Sequence, residues 1–259
     1  MLTRVLSCPF SVVAKSVVAY LFLVRPMRHT TLQILAMIVA TAVGFAAAGA
    51  DPDKDPQMMT LLQEARHSID SKNPAAAISK CDQVINAYKA HYGGSKQKIF
   101  CARSSEESLE IVLIAAADKK DAIALSFIWS DAYFMKAYAL EDVGRMGEAK
   151  TTLQQALKLS PSNAQYLAEM GQIYVREKNW SKAEQLYREA EDNAPLSPRE
   201  ARAGDLARAR RGLGYVLVEL GNLDQAEKKY QQCIAADPND TKAKAELQYV
   251  REQKAKKGR

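Results

Sequence analysis

Cysteine and histidine are scarce: the 259 residues include only 4 cysteines and 3 histidines. Cys8, Cys81, Cys101 and Cys233 lie far apart with no CxxC pair, which excludes a zinc knuckle and a thioredoxin-type redox motif. Two histidines, His67 and His91, lie beyond residue 50, too few for most histidine-rich metal sites. Catalytic signatures are missing as well. No GxSxG, HExxH, Walker or GxGxxG pattern occurs, so the expectation is a protein that is not an enzyme and holds no cofactor or metal.

Acidic residues are absent from the first fifty positions, which hold Arg4, Lys15, Arg25 and Arg28. Over the whole chain 36 lysines and arginines face 30 acids; beyond residue 50 the balance is 32 to 30. The basic isoelectric point near 9.0 therefore belongs partly to a leader, and bulk charge gives no reason to expect a nucleic-acid partner. From Leu32 to Ala50 the chain reads LQILAMIVATAVGFAAAGA behind Arg25, Arg28 and His29, and the charged run Asp51-Pro52-Asp53-Lys54 follows. Basic, apolar and small-x-small segments in that order predict a secretory signal over 1–50, cleaved after Ala50, with Met27 a candidate start. The alternative is an uncleaved anchor, since the 19 residues from Leu32 to Ala50 approach the ~20 that span a bilayer. The implied location is periplasmic or secreted, or membrane-anchored facing the periplasm.

Beyond the leader and a short linker at 51–57, the strongest feature is a period of 34 residues. Tyr133, Ala137, Leu140, Ala149, Leu153, Ala156 and Pro161 recur as Leu167, Gly171, Tyr174, Ala183, Tyr187, Ala190 and Pro195. A third copy supplies Arg210, Gly214, Leu217, Ala226, Tyr230, Cys233 and Pro238. Small residues at the eighth and twentieth positions let two helices approach closely. Proline at the thirty-second lacks an amide proton and stops the second helix. Gly144 and Gly221 sit where the first helix must end.

This pattern resembles the tetratricopeptide repeat, which implies an all-α, right-handed superhelical solenoid of helix-turn-helix repeats. The copies fall at 130–163, 164–197 and 207–240, with a weaker one at about 58–91 built on Leu61, Ala65, Ala77, Cys81 and Val84. Cys81 thus holds a core position, so the evenly spaced Cys81, His91 and Cys101 are expected to be structural; a Cys81–Cys101 disulfide stays open as an alternative in an oxidising compartment. Residues 96–129 match the repeat length with Arg103 at the small position, and they are expected to form a degenerate helical pair. Its first helix is expected to start late, at Ser104-Ser105-Glu106-Glu107. Nine inserted residues, 198–206, follow Ser197, which reads as an N-cap before Pro198; they predict a helical extension projecting from the stack. A capping helix over 241–255 and a basic tail at 256–259 close the chain.

The resemblance also implies a binding surface. In the family the first helices line a concave groove, which places Asp131, Phe134, Tyr138, Glu141, Gln165, Gln172, Arg208, Arg211 and Tyr215 toward a protein or peptide partner. The lysine and asparagine with which some members clamp a terminal carboxylate are replaced here by Phe134 and Tyr138. The expected role is an interaction scaffold or adaptor, of envelope assembly for a cleaved form and of a membrane complex for a tethered one. A rival reading places a small-ligand or catalytic site in 96–129, around Arg103 and Glu107.

Overall fold

The computed structural model describes residues 50–117 and 121–257; the signal and anchor readings lie outside these residues. Four antiparallel helical hairpins stack in chain order. They are α1 (Pro56–Asp70) with α2 (Pro74–Tyr92), α4 (Ile128–Asp142) with α5 (Met146–Leu159), α6 (Ala164–Arg176) with α7 (Trp180–Asn193), and α8 (Arg199–Glu219) with α9 (Leu223–Ala236). The last helix, α10 (Thr241–Lys257), covers α9 with Ala243, Leu247 and Val250 and turns lysines outward, as expected of a cap. No described helix is long and apolar enough to cross a membrane.

Local chemistry sets each turn. Asn73, Asn163 and Asn179 cap α2, α6 and α7 by accepting bonds from backbone N–H groups two or three residues on. The fifteenth position of every repeat is left-handed, with φ of 57° at Lys72, 76° at Gly144, 56° at Lys178 and 77° at Gly221. Glycine marks the bend in two hairpins, and lysine carries the same conformation in the others. The period-defining side chains are the core: Ala65, Ala77, Cys81, Val84, Ala149, Ala156, Ala183, Ala190, Ala226 and Tyr230 are all sealed from solvent. Trp129 joins adjacent hairpins by stacking on Tyr88 at 5.4 Å between centroids.

The first repeat lacks the closing proline, and α2 runs through Lys89, where that proline would stand, to Tyr92. The extra turn has a use. Tyr92 donates to Asp51 at 2.5 Å and Tyr88 to Asp53 at 3.0 Å, while Ser126 donates to Asp53 through its backbone N–H and its hydroxyl. The segment just after Ala50 is thereby fastened to the fold.

Residues 96–129 do not form a helical pair. They form β1 (Lys98–Ala102), α3 (Ser105–Ala117) and β2 (Ala122–Ser126), with the strands parallel in register Lys98↔Ala122 to Ala102↔Ser126. Ile99-Phe100-Cys101 and Ile123-Ala124-Leu125 are short apolar runs with β-branched or aromatic residues, and a 13-residue helix between them makes the crossover that parallel strands require. Only α3 follows the helical expectation, starting where Ser104 Oγ accepts from Glu107 N at 3.0 Å.

The 198–206 extension is helical but does not project freely. Ser197 makes no cap bond; its hydroxyl donates to Asp205 at 2.8 Å, and α8 begins at Arg199. Arg103, from the β1–α3 turn, places its guanidinium between Glu107 (2.9 Å) and Asp205 (3.4 Å) and donates to Ser197 Oγ at 3.1 Å. The side chains of Arg103, Glu107 and Asp205 are 9%, 5% and 8% exposed. Ser104 Oγ donates to Leu196 O at 2.7 Å beside them. The strand insertion and the helical insertion, the two departures from the repeat, are locked to each other.

Cys81, Cys101 and Cys233 are free and buried, so no Cys81–Cys101 bridge forms. Burial pushes the Cys81 and Cys101 thiols up to about 12 and Cys233 up to about 11. With no thiolate and no access, the three are expected to resist a thiol reagent such as dithiobis-nitrobenzoate at pH 8 in the folded unit and to react together in denaturant. Rapid labelling of one of them in the native protein would contradict the burial.

Candidate binding groove

Four first helices converge on one hollow of about 280 Å³. Arg66, Ile69 and Asp70 enter it from α1, Phe134, Met135 and Tyr138 from α4, Gln165 and Glu169 from α6, and Arg208 from α8. A second hollow of about 590 Å³ opens between the ends of α4 and α6, lined by Tyr138, Glu141, Asp142, Ile173, Arg176 and Glu177, with Met146 and Gly147. Tyr138 borders both and is 43% exposed, an aromatic surface left open at their junction.

The polar walls are organised as crossed ion pairs between successive first helices. Glu141 of α4 accepts from Arg176 of α6, and Glu169 of α6 accepts from Arg208 of α8. Burial raises the Glu169 carboxyl above its ordinary value, with neighbouring Glu141 adding to the effect, while Arg208 opposes it. Phe134 forms part of the floor by stacking on Tyr166 at 5.0 Å.

The sequence-predicted residues separate into two groups. Phe134, Tyr138, Gln165 and Arg208 share the first hollow, and Glu141 lines the second. Gln172 is exposed and accepts from Tyr187 Oη at 3.2 Å. Asp131 departs from the expectation: it is buried beneath the groove, bonded by the Tyr166 hydroxyl, with Arg66 at 3.9 Å, and burial raises its carboxyl. A side chain so enclosed cannot meet a partner. Arg211 also departs, because it reaches Asp240 at 2.6 Å and ties α8 to the start of α10. Tyr215 is exposed but lies against Trp180, at 6.4 Å between centroids, outside both hollows.

Arg66, Ile69, Asp70 and Glu169 were not expected. Arg66 and Ile69 hold the ninth and twelfth positions of the first repeat, so the groove rule used for the later copies already picks them out. Arg103 and Glu107, the rival site, are consumed by the buried network described above.

Comparison with known proteins gives the repeats their name. A family model described as tetratricopeptide repeat matches residues 134–198, and a second with the same description matches 202–240. These segments are tetratricopeptide repeats. Among solved structures, PilF of Pseudomonas aeruginosa is similar at 13% identity and TM-score 0.55, over 77% of this chain and 69% of that one. A double mutant of MamA, designated RS-1 ArsTM, is similar at 16% identity and TM-score 0.50, over 79% and 86%. The first tetratricopeptide domain of Spaghetti (RPAP3), solved with the HSP90 peptide SRMEEVD, aligns at 21% identity and TM-score 0.43, over 49% and 93%. No curated protein matches the chain. The likeness to PilF and MamA, at these identities, is one of fold: an all-α solenoid of tetratricopeptide hairpins, interrupted here by one βαβ insertion.

Proposed function

We propose that this chain is a non-enzymatic adaptor that binds a protein or peptide in the hollow between α1, α4, α6 and α8. One observation carries the reading: four first helices place an exposed aromatic, Tyr138, between Arg66 and Arg208 on one side of the charge balance and Asp70 and Glu169 on the other. An open solenoid surface suits an extended segment better than a small molecule. The fitting ligand presents an apolar or aromatic side chain to Tyr138 and Phe134, flanked by polar groups that exchange with the crossed ion pairs. The signal-like leader supports export and a role in the cell envelope, and the tethered form is its alternative.

The test is affinity capture from an envelope extract with residues 51–259, beside a Tyr138→Ala, Arg208→Glu double variant. A partner held by the parent and reduced at least tenfold in the variant, with helical content unchanged, supports the groove. Equal capture by both would move the binding site elsewhere.

A further inference from the structure

The larger hollow, between the ends of α4 and α6, is short of a cation. Its lining carries three carboxylates, Glu141, Asp142 and Glu177, and one guanidinium, Arg176. Arg176 is paired with Glu141, and Glu177 with Lys150 at 2.6 Å. Asp142 is exposed and forms no ion pair among the described residues; Arg145, three residues on, is taken by Glu148. Asp142 is also the last residue of α4, and α6 ends at Arg176 on the same hollow, so two partially negative helix termini add to its charge. The N-terminal end of α5, at Met146 and Gly147, offsets one of them.

The smaller hollow has the same excess. Arg66 and Arg208 face Asp70 and Glu169 there, with Asp131 buried beneath. Asp70 is the last residue of α1, exposed and without an ion pair among the described residues. A carboxylate at a helix C-terminus is locally unfavourable, yet α1 and α4 both keep one beside the groove. Local rules are broken in this way at functional sites. Beyond residue 50 the chain as a whole is slightly basic, at 32 to 30, so the groove is acidic against its surroundings. Tyr138 borders both hollows and is 43% exposed. An open aromatic face beside an unpaired carboxylate suits a cation, which the ring attracts through its quadrupole and the carboxylate through charge and hydrogen bonds. Arginine uses both at once, because its planar guanidinium stacks on a ring while its N–H fork meets a carboxylate.

We infer that the segment bound in the groove carries an arginine whose guanidinium enters the larger hollow, lies against Tyr138 and pairs with Asp142. The inference rests on the groove reading and adds the chemistry of the partner: a basic segment with an apolar residue beside the arginine to meet Phe134 in the smaller hollow. An acidic segment would meet an unpaired carboxylate in each hollow.

The test pans a random heptapeptide library against the immobilised full chain, beside Tyr138→Ala and Asp142→Lys chains whose circular dichroism is unchanged. Peptides that need Tyr138 are expected to carry arginine and to bind Asp142→Lys about tenfold more weakly by fluorescence polarisation. They should lose as much when their arginine is replaced by glutamate, and the glutamate peptide should recover on the Asp142→Lys chain, which a merely structural role of Asp142 would not produce. Peptides that need Tyr138 but carry no arginine, or that bind Asp142→Lys undiminished, overturn the inference and leave the groove standing. A library from which no peptide depends on Tyr138 overturns both.

Discussion

Replacing Arg103 by alanine is expected to lower stability by about 3–5 kcal/mol, the cost of leaving buried carboxylates without their counter-charge. Glu107 and Asp205 would then face each other in a space from which water is largely excluded, and Ser197 Oγ would lose a donor. The effect should be local as well as large. Solenoid repeats are stabilised by their neighbours, so amide exchange should quicken first at the start of α8 and in β1–α3, and last in α9 and α10. Urea unfolding followed by hydrogen exchange measures both. Arg145→Ala is the control, because its pair with Glu148 is more than half exposed and screened by solvent, so its loss should change stability little. Equal effects of the two substitutions would show that the buried cluster is not the lock described above.

Two glycines in α8 are expected to respond to alanine with opposite signs. A Cβ on Gly212 would lie 2.1 Å from Cε1 of Tyr187. That ring is 3% exposed and is already held against Gly171 on its other side, so it has little room to withdraw. Overpacking of this kind costs about 1–3 kcal/mol. A Cβ on Gly204 meets nothing within 4 Å, and alanine there should stabilise the helix by about 0.5–1 kcal/mol. Thermal unfolding of both variants gives the comparison. Tyr187→Leu, added to Gly212→Ala, should recover part of the loss if the ring is the obstacle.

These two sites also mark where sequence reasoning reached and where it stopped. The hairpins were legible because each places small and large side chains at fixed spacing, and steric necessity repeats with the fold. Gly212 escaped notice because it serves the neighbouring helix and lies off the repeat positions. Residues 96–129 misled for another reason: the segment has the length of a repeat, and length outweighed the short runs Ile99-Phe100-Cys101 and Ile123-Ala124-Leu125 that mark strands. The Arg103–Asp205 pair joins residues 102 positions apart, a relation that no local pattern encodes. In the groove, the family spacing brought Phe134, Tyr138, Gln165 and Arg208 to one hollow, since first-helix positions keep their direction from copy to copy. It failed at Asp131 and Arg211, where burial beneath Tyr166 and pairing with Asp240 depend on tertiary neighbours.

The central claim is that the partner lies against α4, between α1 and α8. A photoreactive amino acid placed at Tyr138 in the full chain in living cells tests it most directly, with the same group at Tyr249 as the reference. Tyr249 is similarly exposed, at 47%, but sits on α10 and lines neither hollow. Irradiation is expected to join a distinct protein to the Tyr138 position and not to Tyr249. An adduct formed from Tyr249 alone, or equally from both positions, would contradict the groove as the site of binding.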